Sequence, residues 1–239
     1  MRILLWYWGK RGGGAQYALC LARALARRPD VQLEMSLSRS LHLLDQFRAV
    51  GASIDAVPTF STAPGAVAGL ARVPALRSRL LEQARCSGAD VVFSAMSHVW
   101  TPLVAPVLPA GGVNLVSAVH DAKPHPGDPR LLWDWRLRAE LRAARAALAF
   151  SEAVANDLAR ISPGLPVLRA PLGAHFSSPA SRNTAPPPVP GEFVFFGRLR
   201  AYKGLDLLRD AFGLLRARHP EATLRVVGEG NADACAPGL

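Results

Sequence analysis

Short apolar runs alternate with helical repeats along most of the chain. Arg2 to Trp8 is an apolar run closed by a glycine cluster, and Ala15, Ala18, Leu19, Ala22, Leu25 and Ala26 then recur at helical spacing. A strand over Val31 to Leu37, a helix over Leu41 to Ala49 ended by Gly51, and a short strand over Ile54 to Val57 follow. Pro74 to Cys86 predicts a helix with proline in its first turn, and Asp90 to Ser94 and Asn114 to Val119 predict buried strands. Trp133, Leu137, Leu141, Ala144 and Leu148 share one helical face; Ala149-Phe150 is a stub of strand. Val154, Leu158 and Ile161 mark a helix that starts after Ser151, and Pro166 to Arg169 is a last extended piece. Such strand-helix repeats imply an α/β fold with a parallel sheet covered on both faces.

The pattern changes at Ser177. From there to Gly191 the chain is rich in Ser, Pro, Asn and Thr, a linker by composition. A single β-α-β unit follows, with strands Phe193 to Phe196 and Thr223 to Val227 around a helix bearing Leu205, Leu208, Phe212 and Leu215. The expected organisation is therefore an N-terminal domain over 1–176, a linker over 177–191 and the opening of a second domain over 192–239. The apolar stretch from Ala89 to Val119 does not read as a membrane span, because Pro102, Pro106, Pro109, Gly111-Gly112 and Asn114 interrupt it.

Composition adds a globular signature: half the 239 residues are hydrophobic and 19% are charged. The net charge of +10 is almost all arginine, since lysine occurs only at Lys10, Lys123 and Lys203. Such a surface is either simply solvated or attracts phosphates, anionic lipid or nucleic acid. No helix-turn-helix, zinc-finger or RNA-recognition signature accompanies it, so nucleic acid is not an expected partner. Cys20, Cys86 and Cys235 are odd in number and widely spaced, which suits a reducing cytosol rather than a disulfide framework or a zinc site. The run Ile3 to Trp8 is too short for a signal-peptide core, so the protein is expected to be cytoplasmic.

In open α/β sheets ligands bind beyond the carboxyl ends of the strands, and four such places carry candidate chemistry. Gly12-Gly13-Gly14 would let backbone N–H groups approach a phosphate at the start of a helix, or would serve as a tight structural turn. Val119-His120-Asp121 would put an imidazole at the sheet edge, where it could exchange a hydrogen bond with a sugar hydroxyl. His125 and Asp128 lie close by, without a recognised metal-ligand spacing. Ser151 after Phe150 reads best as a helix N-cap. The most informative segment is Phe195-Phe196-Gly197-Arg198-Leu199, three residues, then Lys203-Gly204 opening a helix. Two cations converging on a helix start suit a diphosphate leaving group, whose charge grows as its bond to a sugar breaks.

Gly197-Arg198-Leu199 through Lys203-Gly204 is similar to the G-R-L-x-x-x-K-G signature of the retaining GT-B glycosyltransferases of the group-1, or family-four, class. Gly12-Gly13-Gly14-Ala15, Val119-His120-Asp121, Phe150-Ser151-Glu152-Ala153, Pro171-Leu172-Gly173 and Val226-Val227-Gly228-Glu229-Gly230 follow that family's order. The resemblance implies two Rossmann-like domains facing across a cleft, with a nucleotide sugar held mainly by the C-terminal one and an acceptor mainly by the N-terminal one. It implies a hexosyltransferase-type enzyme that retains anomeric configuration without a metal or other cofactor, its donor carrying UDP, GDP or ADP. Arg198 and Lys203 would grip the donor diphosphate, Gly12 to Gly14 would line the cleft, and His120 would contact the transferred sugar. Gly228, Glu229 and Gly230 would form a donor-side loop. The acceptor implied is a glycan or a lipid-linked species in cell-surface polysaccharide biosynthesis. Independently of the resemblance, Arg138, Arg142 and Arg145, with Trp133 and Trp135 nearby on a helix from Leu131 to Leu148, either form a solvated helix face whose other side is in the core or suit peripheral contact with the anionic inner face of the plasma membrane.

The sequence departs from the family in one respect: its E-x7-E element has no counterpart before Leu239. Truncation within the donor-binding domain is the resulting expectation, with no useful turnover from these residues alone. A nucleotide-sugar or phosphate-binding fragment without turnover thus stays open as the alternative.

Overall fold

The computed structural model describes residues 1–173 and 187–231. Most of the expected linker, and Cys235, lie outside the described residues. The chain divides into two compact units, Met1–Phe176 and Ser177–Leu239, taken separately below.

The first unit is built on a seven-stranded sheet. Its strands are β1 (Arg2–Tyr7), β2 (Gln32–Ser38), β3 (Ser53–Val57), β4 (Val91–Ser94), β5 (Leu115–Val119), β6 (Ala146–Ala149) and β7 (Val167–Arg169), in the order β3-β2-β1-β4-β5-β6-β7. Every neighbouring pair is parallel, and β1 sits against both β2 and β4 with Leu4 opposite Glu34 and Val92. A central strand covered on both faces needs apolar residues at every position, which is why Ile3-Leu4-Leu5-Trp6-Tyr7 does not alternate with polar ones. The two faces enter different cores. Leu4, Trp6 and Trp8 pack with Val92, Trp100, Val104 and Leu115, while Leu5 and Tyr7 pack with Ala18, Leu19, Met35 and Phe47.

Eight α-helices belong to this unit among the described residues: α1 (Gly13–Ala26), α2 (Leu44–Arg48), α3 (Ala63–Ala68), α4 (Val73–Cys86), α5 (Thr101–Val104), α6 (Val107–Ala110), α7 (Arg130–Ala143) and α8 (Glu152–Ile161). On α1 the buried residues are Gly14, Ala15, Tyr17, Ala18, Leu19 and Ala22, a set in which glycine and alanine alternate with two large side chains that fill the core against the sheet. Thr62 caps α3 by accepting from Gly65 N–H at 3.2 Å, a helix that the polar-apolar pattern does not announce.

One expectation is corrected. The helix does not run from Leu131 to Leu148: α7 ends at Ala143, Ala144 is extended, and Leu148 belongs to β6. Arg145 N–H donates to Leu115 O at 2.8 Å, and Ala146 to Ala149 pair with β5. The alanine-rich run Ala143 to Ala147 has high helix propensity, but sheet pairing and burial outweigh the few tenths of a kcal/mol per residue at stake. Arg145 therefore does not lie in a helical row with Arg138 and Arg142.

In the second unit β8 (Glu192–Phe196) and β9 (Thr223–Val227) pair in parallel, with Glu192 opposite Thr223, and α9 (Leu205–Arg218) joins them. This is the β-α-β unit that the pattern predicts. Leu205 and Ala222 are its buried apolar residues among those described, and Phe193 packs edge-on to Phe212.

Candidate functional site

In the first unit the strand order reverses between β1 and β4, the kind of place where ligands bind in open α/β sheets. The glycine loop after β1 lies at this edge. Gly12 has φ +85°, a left-handed conformation that disfavours a side chain, and caps α1 without any side-chain hydrogen bond. Gly14 is demanded by packing, because a Cβ there would sit 2.5 Å from Met96 Sδ, just beyond β4. The loop thus stands against the segment just past β4 and opens α1, whose N-terminus carries the positive end of the helix dipole.

His120 follows β5. Its Nε2 lies 3.1 Å from Ala95 O, so Nε2 carries the proton and donates to that carbonyl. The ring also stands edge-on to Tyr17 of α1 at 5.0 Å and tilted against Phe150 at 4.6 Å. The glycine loop, the end of β4 and His120 are therefore brought together. Asp121 and His125 approach to 3.6 Å and Asp128 accepts from His125 N–H at 3.3 Å, but among the described residues no three such groups converge as a metal site. Ser151 accepts from Val154 N–H at 3.2 Å and is the N-cap of α8.

Sequence reasoning missed three residues at this edge. His98, four residues past β4, is half-buried against Phe60, Trp8 and Trp100. Its Nδ1 accepts from Trp100 N–H at 3.2 Å, and its pKa falls to about 3 because burial disfavours the charged form and Arg136 and Lys10 repel it. The ring is consequently neutral, with its proton on Nε2. The rule that singled out His120, proximity to a strand end, reaches His98 as well. Glu140 on α7 is 1% exposed and accepts from Ser94 Oγ at 3.0 Å and from Ser117 Oγ, tying the helix to β4 and β5. One turn earlier, the Arg136 guanidinium lies 4.4 Å from the centre of the Trp133 ring, and burial holds its pKa below the usual arginine value despite Glu140 and Asp128. A charged residue buried on a helix gives no periodic signal, so neither was legible.

The second unit gathers two of the sequence motifs. Gly197 N–H donates to Val227 O at 3.0 Å and Leu199 N–H to Glu229 O at 2.9 Å, so the Gly197-Arg198-Leu199 and Gly228-Glu229-Gly230 segments run side by side past the strand ends. Arg198 and Lys203 are exposed, and among the described residues neither has an ion-pair partner; Lys203 Nζ lies 5.1 Å from the centre of the Tyr202 ring. Gly204 is left-handed at φ +70° and starts α9, so Lys203 stands directly before a helix N-terminus.

A family profile described as Glycosyltransferase Family 4 matches residues 11–166. No curated protein sequence matches the chain. Among solved structures, HepE of Anabaena in complex with UDP aligns at TM-score 0.61 and 16% identity, over 99% of this chain and 72% of that one. HepE with UDP and glucose gives TM-score 0.63 and 20% identity, over 97% and 62%. A UDP-GlcNAc 2-epimerase from Neisseria meningitidis bound to UDP-GlcNAc gives TM-score 0.62 and 10% identity, over 99% and 68%. At these identities the likeness is one of fold, the α/β Rossmann-like fold of these neighbours. No helix among the described residues is long and apolar enough to cross a membrane.

Proposed function

The chain belongs to Glycosyltransferase Family 4, and on that premise we propose that it serves transfer of a hexosyl unit from a UDP-sugar to a glycan or lipid-linked acceptor, with retention of configuration. The observation that carries the reading is the close backbone pairing of Gly197-Arg198-Leu199 with Gly228-Glu229-Gly230, beside Lys203 and the start of α9. Small residues let the backbone approach a diphosphate, and Arg198 and Lys203 add two cations where the α9 dipole already favours an anion. As the bond from the anomeric carbon to the diphosphate breaks, charge grows on the leaving oxygen, and these groups stabilise it without a divalent ion or other cofactor. The acceptor hydroxyl oxygen forms the new bond to the same carbon, and its proton passes to the departing diphosphate, which leaves with the bonding pair. His120 is the residue we assign to the transferred sugar, and we assign Gly12 to Gly14 to the acceptor side. UDP as the nucleotude is supported by the HepE and epimerase likenesses.

We place the protein in the cytoplasm, in cell-surface polysaccharide biosynthesis, with peripheral contact to anionic membrane through α7. Leu131, Leu132 and Trp135 are exposed on that helix beside Arg138 and Arg142.

The test is calorimetric titration with UDP, followed by incubation with UDP-glucose and candidate acceptors and assignment of the product anomer by NMR. Absence of saturable UDP binding would overturn the donor assignment, and an inverted product would overturn retention.

A further inference from the structure

Among the described residues of the first unit, Arg136 is the cation with a buried nitrogen left without a hydrogen-bond partner. Its Nε is buried without a hydrogen-bond partner, and so is Trp133 Nε1 beside it. Among the described residues no carboxylate reaches ion-pair distance of the guanidinium. Glu140 is occupied by two serine hydroxyls, and Asp128 by the amide of its own loop. A guanidinium has five donors and stays charged, so leaving it half-buried and unpaired is costly unless something occupies it. Space for an occupant is present: a pocket of about 140 Å³ is lined by Val99, Asp128, Pro129, Leu132, Trp133 and Arg136. Its wall is apolar apart from the guanidinium and Asp128, and Val99 and Leu132 continue onto the surface, 39% and 47% exposed.

We propose that this pocket binds an oxyanion, a phosphate or a carboxylate, carried on an apolar body, with Arg136 gripping the anion and Val99, Pro129, Leu132 and Trp133 receiving the apolar part. The guanidinium lies 4.4 Å from the centre of the Trp133 ring and, with Nε buried, has its terminal N–H groups left to bind either oxyanion. The anion sits on the side of the pocket away from the Asp128 carboxylate, which repels it. Its role as an acceptor subsite rests on the transferase reading above; the binding site itself does not.

The experiment is titration of the full chain, followed by tryptophan fluorescence and calorimetry, with octyl phosphate, octanoate, inorganic phosphate and octanol. Saturable binding of octyl phosphate or octanoate is expected, with octanol and inorganic phosphate both weaker, and the stronger of the two amphiphiles identifies the head group. Arg136→Gln should weaken that binding by about tenfold or more, as loss of a charge-assisted contact does. Leu132→Asp, at an exposed position where folding is not at risk, should weaken it by repulsion. UDP affinity should be the same in all three proteins, and saturating UDP should not displace the amphiphile. Octanol binding as tightly as the anions, equal affinities in wild type and both variants, displacement by UDP, or no saturable binding would each overturn the proposal. Amphiphile binding by a protein that does not bind UDP would leave the pocket standing and remove the donor reading instead.

Discussion

Gly228 lies so close to Gly197 that a Cβ added to it would sit 1.7 Å from the Gly197 carbonyl oxygen. No rotamer relieves such a contact, because both partners are backbone. Gly228→Ala should therefore push the two segments apart, costing about 1 to 3 kcal/mol as overpacking does, and should lower UDP affinity. Gly213, inside α9 with nothing within 4 Å of an added Cβ, is the control: Gly213→Ala should stabilise by about 0.5 to 1 kcal/mol. Urea unfolding and UDP titration of both variants check the pair.

Arg198→Ala and Lys203→Ala should each weaken UDP binding by about 1.5 to 3 kcal/mol, the range of hydrogen bonds to charged groups. Both side chains are exposed, so unfolding midpoints should stay within the small range expected of surface cations. Calorimetry with unchanged affinity for both variants would remove the diphosphate assignment.

His98 makes the first unit acid-sensitive. Its folded pKa of about 3 lies below the ordinary histidine value of 6.5, so the unfolded chain takes up the proton first. The stability due to the neutral ring is complete above pH 6.5 and is lost as the pH falls toward 3, at no more than about 1.4 kcal/mol per pH unit. His98→Asn keeps an acceptor for Trp100 N–H and removes the titration. Urea unfolding at pH 7 and pH 5 should show a smaller loss in the variant than in the wild type.

Glu140→Leu strands two buried hydroxyls, those of Ser94 and Ser117. The expected cost is about 2 to 4 kcal/mol, because an orphaned buried donor loses its full solvation. Adding Ser94→Ala and Ser117→Ala should recover much of it, since removing both partners of a buried hydrogen bond is close to neutral. Denaturation of the single and triple variants measures the difference.

If α7 contacts anionic membrane, Arg138→Gln with Arg142→Gln should reduce co-sedimentation with phosphatidylserine vesicles by about tenfold or more, at about 1 kcal/mol per cation near the surface. Equal binding to neutral vesicles would exclude an electrostatic contact.

The sequence by itself determined the strand-helix alternation in outline and the glycine-rich and basic motifs, though not α3 or the end of α7. Those signals are local: apolar runs, helical spacing and chain-reversing glycines act over a few residues. The Ser151 cap and the β8-α9-β9 unit were legible for that reason. Only the tertiary structure decided that Ala146 to Ala149 are a strand, because the partner that outweighs their helix propensity is β5, far off in sequence. It alone placed Gly14 against Met96, His120 under the Ala95 carbonyl, and His98, Arg136 and Glu140 at one edge of the sheet. Burial and charge coupling are sums over neighbours from several elements, and no window of sequence contains that sum.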